Sequence, residues 1–220
     1  AQKRVVKGIM QHDQLGGFKG AGASAAAQTA LGINGPLTGV LLKSGQLNAK
    51  DQPVIDLASA PGTVVETEIG FIVDVDISYE VLNDQQARDS VKWVVPVIEL
   101  PINYSSRMGG SSAADMVASN IGSARFIVGE RSQPGGVDAN AVSIVLKRDG
   151  DLLHETTGAS ANGGQWHNLR SIMNEITGQG YTIRAGTMII CGALGKVHPG
   201  LPGKYVAEFG ELGLIEFELK

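Results

Sequence analysis

The chain has 220 residues, 43% of them hydrophobic and 18% charged, with a formal net charge of −4. A mildly acidic chain without a long Lys/Arg run makes a poor nucleic-acid surface, and no apolar stretch approaches the roughly 20 residues of a membrane span. The single cysteine, Cys191, excludes an intrachain disulfide framework and fits a reducing, cytoplasmic setting.

Residues 1–12 carry Val5, Val6, Ile9 and Met10 at helical spacing. A helix that begins at residue 1 without a cap suggests sequence missing upstream. Gly16-Gly17-Phe18-Lys19-Gly20 reads most simply as a turn with a surface lysine. Ser24 to Leu31 is an Ala-rich helix closed by Gly32, and Asn34-Gly35-Pro36 is a turn. Val40-Leu41-Leu42 is strand-like, and the polar residues 43–53 predict an irregular, mobile loop.

Val64 to Val73 alternates, with Val65, Thr67, Ile69, Phe71 and Val73 on one face and Glu66 and Glu68 together on the other. Ile77 to Val91 predicts a surface helix leading into a second strand, Trp93 to Leu100, where Glu99 stands in an apolar run. An unpaired charge there would cost several kcal/mol, so a cation, a distant basic residue or a raised pKa must compensate it. Glu-x-Glu alone is more commonly a solvated pair. With Glu99 from a neighbouring strand it becomes an all-oxygen cluster suited to Mg2+ or Mn2+.

Gly109-Gly110 with Ser111-Ser112-Ala113-Ala114-Asp115 predicts a helix start capped by Ser111 or Ser112 and running to about Asn120. A strand is expected over Ala124 to Val128, then a hairpin of Val142 to Lys147 and Leu152 to Thr157 around Arg148-Asp149-Gly150. Trp166 to Ile176 has helical spacing, and Thr187 to Cys191, Tyr205 to Phe209 and Leu214 to Leu219 are further strands. Trp93 and Trp166 read as packing residues and Cys191 as an inert core thiol. His12, His154, His167 and His198 share no metal-ligand pattern, and His198 falls in a glycine-rich loop. Many strands with sparse helices and no linker point to one α+β domain with a mixed sheet or barrel-like β-roll and peripheral helices.

Several segments together resemble the fumarylacetoacetate hydrolase superfamily, within it the 2-keto-4-pentenoate hydratase and 4-oxalocrotonate decarboxylase branch. They are Gly17-Phe18-Lys19 with Ser24, Gln28 and Leu31-Gly32-Ile33; Glu66-Thr67-Glu68-Ile69 followed by Glu99; Asn120; Cys191-Gly192-Ala193-Leu194-Gly195; and Glu211-Leu212-Gly213-Leu214-Ile215. The resemblance implies one catalytic domain over residues 1–220, lacking the family's N-terminal helical segment, and a cytoplasmic homo-oligomer of aromatic-compound catabolism. It implies Mg2+ or Mn2+ on Glu66, Glu68 and Glu99, and a small 2-oxo or 2-hydroxy-dienoic acid as substrate, with no nucleic acid or membrane partner. Lys19 would serve electrostatics or proton transfer with a lowered pKa, and Ser24 and Asn120 would hydrogen-bond substrate or water. Where the hydratases carry Pro-Asp-Phe-Gly this chain has Pro36-Leu37-Thr38-Gly39, and Ala23 replaces a threonine. Decarboxylation, acylpyruvate-type hydrolysis or a silent site therefore stand beside hydration.

Overall fold

The computed structural model describes residues 2–103 and 112–220. The helix start at Gly109, Gly110 and Ser111 lies outside the described residues, but Ser112 caps α4 (Ala113–Ala118) in a capping box with Asp115. Ahead of it come α1 (Gln2–Ile9), α2 (Ala25–Leu31) and α3 (Asp84–Asp89), and α5 (Gln165–Gly178) follows. Ser24 opens α2 by accepting from the Ala27 amide, and Gly32, left-handed at φ 64°, closes it. The surface helix expected over Ile77–Val91 contracts to the six residues of α3, because Ile77 instead forms a bridge with Ile183.

The larger sheet holds β1 (Leu15–Ala21), β2 (Leu37–Leu42), β3 (Gln46–Asn48), β5 (Val64–Val73), β6 (Val91–Leu100), β7 (Arg125–Val128) and β10 (Met188–Ile190), in the order β2-β1-β10-β5-β6-β7-β3. A further strand, β11 (Leu194–Pro199), also pairs with β5. Most neighbours are antiparallel, but β1–β10 and β3–β7 are parallel, so this is a curled mixed sheet. A second sheet has the order β4-β13-β12-β8-β9, from β4 (Val54–Ile55), β8 (Ser143–Arg148), β9 (Asp151–Thr157), β12 (Gly203–Glu208) and β13 (Leu214–Leu219). The expected α+β class with a β-roll-like sheet and peripheral helices is the fold found.

The β8–β9 hairpin turns at Asp149 and Gly150, both at positive φ, as its Asp-Gly pair dictates. Residues 43–53 are not one irregular loop, since β3 lies in their midst and pairs with β7. The glycine-flanked Lys19 segment is strand β1 rather than a turn, and its lysine is 1% exposed. Helix α5 lays Leu169, Ile172, Met173 and Ile176 onto the sheet. Gly20 makes that approach possible, because a Cβ there would come within 2.4 Å of Ile172 Cδ1. Trp166 packs on Phe71, with Arg88 over its ring.

Candidate metal centre

The β5–β6 register sets Glu66 directly opposite Glu99 and Glu68 opposite Val97. Residues 66 and 68 share a face, so three carboxylates meet on one side of the strand pair. One oxygen from each lies within 4.8 Å of the other two. Glu68 and Glu99 are fully buried and Glu66 partly so, which overturns the solvated-face alternative. Like charges opposed across a strand pair repel, and the burial of Glu68 and Glu99 weakens screening by water.

Lys19 answers the question posed by Glu99. Its ammonium donates to Glu99 Oε1 and, at 3.1 Å, to the Ile121 carbonyl. The compensating group is thus a basic residue 80 positions away, brought in by β1. Burial alone would lower the Lys19 pKa, but Glu99, Glu66 and Glu68 outweigh it and hold the ammonium above its ordinary value, contrary to the expected lowering. Burial, reinforced by Glu99, pushes Glu66 up to about 7. Burial, then Glu99 and Glu66, pushes Glu68 well above the carboxylate range.

Three carboxylates against one ammonium leave two negative charges uncompensated when all are ionised. Two oxygens, Glu68 Oε1 and Glu99 Oε2, are buried without a hydrogen-bond partner. Three more buried oxygens, on Asp84, Ser123 and Gln165, also lack one, but they lie outside the carboxylate cluster; within it, Glu68 Oε2 accepts from the Gly192 amide at 2.7 Å. A hard dication among these oxygens would neutralise the charge and coordinate the orphaned atoms, so the donor set fits Mg2+ or Mn2+.

The cluster opens into a cavity of about 350 Å3, bounded by Lys19, Glu66, Pro101, Met116, Ile121 and Val197 among others. A larger open groove of about 700 Å3, along β3 and Glu130-Arg131, contains none of Glu66, Glu68 and Glu99.

Asn120 and Ser24 stand apart from these groups. The Asn120 side chain accepts from the Val40 amide and donates to its carbonyl, both at 2.9 Å, so its amide is committed to β2. Asn120 and Ile121 are both left-handed, with φ 55° and 52°. That conformation is strained for a β-branched residue, and it turns the Ile121 carbonyl onto Lys19. Ser24 caps α2, and neither Ser24 nor Asn120 lines the cavity.

Ile121, Gly192 and a histidine pair were not found from sequence. His198 lies on β11 rather than in a loop, and its Nε2 is 2.9 Å from His154 Nδ1, with the rings stacked. His154 is buried, as a structural histidine would be. Cys191, beside Gly192, is 1% exposed, and burial together with Glu68 pushes its thiol pKa well up.

No family model matches the sequence. A 2-keto-4-pentenoate hydratase from Paraburkholderia xenovorans (strain LB400) is 29% identical over 183 residues, covering 82% of this chain and 66% of that protein. A 4-oxalocrotonate decarboxylase from Pseudomonas putida is 23% identical over 192 residues, covering 87% of this chain and 72% of the relative. Among solved structures, the 4-oxalocrotonate decarboxylase from Pseudomonas putida G7 complexed with magnesium and adipate superposes with a TM-score of 0.91 at 20% identity, covering 99% of this chain and 82% of the other. The fold is that of the fumarylacetoacetate hydrolase superfamily. A fumarylpyruvate hydrolase from Pseudomonas aeruginosa, in complex with Mn2+ and pyruvate, shares this fold at a TM-score of 0.71 and 13% identity, over 92% of this chain and 88% of its own. In sequence the chain is similar to the hydratase and decarboxylase branch of that superfamily. It spans 66% of the length of the first hydratase it matches. Among the described residues no helix is long and apolar enough to cross a membrane.

Proposed function

We propose that the protein is a divalent-metal-dependent lyase that hydrates a small 2-hydroxy-2,4-dienoate to a 4-hydroxy-2-oxo acid. The observation that carries this reading is the buried cluster of Glu66, Glu68 and Glu99, with two orphaned oxygens, opening into a largely apolar cavity beside Lys19. Support comes from the similarity to hydratases and from the metal in the two solved structures described above. Glu66, Glu68 and Glu99 would hold Mg2+ or Mn2+, which supplies Lewis acidity to the substrate's carboxylate and 2-oxygen.

The chain's own residues would do the remainder. Lys19 keeps a charged, proton-bearing Nζ at the cavity wall, fixed by Glu99 and the Ile121 carbonyl, where it can orient the substrate carboxylate and move a proton. Leu31, Val64, Ile102 and Val197 form an apolar wall along the diene and limit stray water. In balance, the dienol loses its hydroxyl proton and gains one at the terminal carbon. Water then adds its oxygen at the fourth carbon, and a proton ends on the third.

Decarboxylation is the second reading, favoured by Leu37, which stands where the hydratases carry an acid/base Asp. The deciding experiment follows the ultraviolet absorbance of 2-hydroxypenta-2,4-dienoate with purified protein and Mg2+ or Mn2+, then with chelator. Metal-dependent loss of the dienol with a hydrated product is expected. Failure here, with carbon dioxide released from 2-oxohex-3-enedioate, would replace hydration by decarboxylation, and failure with both would overturn the lyase reading. We further propose a cytoplasmic homo-oligomer, consistent with the single cysteine and with the family resemblance; sedimentation of the purified chain tests the assembly.

A further inference from the structure

The pairing of β11 with β5 is interrupted at the carboxylate cluster. Leu194 pairs with Thr67 and His198 with Val65, so Gly195, Lys196 and Val197 span the interval that Glu66 alone occupies on β5. These three residues arch out of the sheet and are exposed, and Val197 reaches the cavity that Glu66 also lines. Just before the arch, Gly192 donates its amide to Glu68. One short stretch therefore touches one carboxylate and stands opposite another.

The two feet of the arch are fastened to a linked pair of buried side chains, Leu194 to Thr67 and His198 to His154. Thr67 Oγ1 donates its only proton to the Leu194 carbonyl at 2.7 Å. Its contact with His154 Nε2 at 3.1 Å must then be an acceptance, which puts the His154 proton on Nε2. A neutral His154 leaves Nδ1 free to accept from His198 Nε2 at 2.9 Å. The bonds run in one direction, from His198 through His154 and Thr67 to Leu194. His154 also lies against Gly195, where a Cβ would come within 2.7 Å of its Cδ2. The charged or titratable neighbours facing His154 are His198 and Lys196, both on β11; β5 presents Thr67 and β8 presents Leu146.

We propose that His154 and His198 are positioning residues that clamp the β11 arch, holding the Gly192 amide on Glu68 and the arch opposite Glu66. The consequence for cation binding rests on the metal reading above; the clamp itself does not.

The test compares His154→Gln with His154→Leu in the full chain. The two replacements are similar in size, but only glutamine can both accept from His198 and donate to Thr67. Two quantities are read, hydrogen exchange of the Gly192 amide by NMR and Mn2+ affinity by electron paramagnetic resonance. In His154→Leu the amide should exchange about tenfold faster and Mn2+ bind about tenfold more weakly, the usual scale for outer partners of metal ligands. His154→Gln should restore both to within about threefold, and nitrogen shifts of the wild-type ring should place the His154 proton on Nε2. Should His154→Leu not fold, His198→Ala removes the outer half of the clamp and should move both quantities the same way. Unchanged exchange in the leucine and alanine variants, or a proton on Nδ1, would overturn the proposal. If wild-type protein binds no Mn2+, the metal reading falls, and the Gly192 exchange rates still decide the clamp.

Discussion

Lys19 and a dication would both answer the same negative charge, which makes them competitors as well as neighbours. Replacing Lys19 with Met leaves Glu66, Glu68 and Glu99 without their ammonium. At pH 8 this variant should bind Mn2+ at least as tightly as wild type, because repulsion between ammonium and cation is gone. Its turnover should fall by about 100-fold or more, the scale of a lost proton-transfer group. Titration by electron paramagnetic resonance beside a steady-state assay checks both; a collapse of Mn2+ affinity would make Lys19 a purely structural partner of Glu99. Convergence of the three carboxylates was legible from sequence, since strand alternation puts Glu66 and Glu68 together and Glu99 interrupts an apolar run. The family resemblance named Lys19, but its burial on a strand as the partner of Glu99 was hidden for a physical reason. Gly16, Gly17 and Gly20 remove the alternation that marks a strand, and the partner that buries the lysine is 80 residues away.

Among the elements, the short 3-10 turn Asn120–Gly122 connects two parts of the site. Asn120 ties it to β2, and Ile121 points its carbonyl at Lys19. Asn120→Ala removes both bonds to Val40 and exchanges asparagine for a residue less tolerant of positive φ. We expect a loss of about 2 to 3 kcal/mol in denaturant unfolding, from two buried hydrogen bonds and the added strain. Turnover should fall because Lys19 loses its second anchor. A variant of unchanged stability would show that the turn holds its shape without Asn120. Strand β11 was unreadable for a related reason: its arch breaks the two-residue period. Helix α5 and the β8–β9 hairpin were legible because their signals are local, in helical spacing and in an Asp-Gly turn.

At the scale of the whole molecule, the clamp makes stability depend on acidity. Burial, with His198 and Lys196 adding to it, lowers the His154 pKa from 6.5 to about 4. Between those values the unfolded chain binds the His154 proton and the folded chain does not, so the His154 contribution to stability rises with pH across this window, while the raised carboxyls of Glu66 and Glu68 contribute with the opposite sign. The His154 contribution is complete above about 6.5 and is lost as pH falls toward 4. His154→Gln keeps the bonds but cannot titrate, so its melting temperature should fall less than that of wild type between these two pH values. Equal declines would show that His154 does not govern the acid limb. No pattern in the sequence announced this pair, because His154 and His198 are 44 positions apart and meet only when β9 and β11 do.

Cys191 gives the same region a clock. Its sulfur is sealed in the core next to the amide that holds Glu68, and both burial and that carboxylate keep it a thiol rather than a reactive thiolate. An alkylating reagent can reach it only when this part of the sheet opens. At saturating reagent the labelling rate therefore counts openings of the strand end beside the carboxylates. Since Cys191 is the one cysteine in the chain, no other thiol blurs the count. A cation that draws Glu68 and its neighbours together should slow that clock, and a chelator should restore its pace.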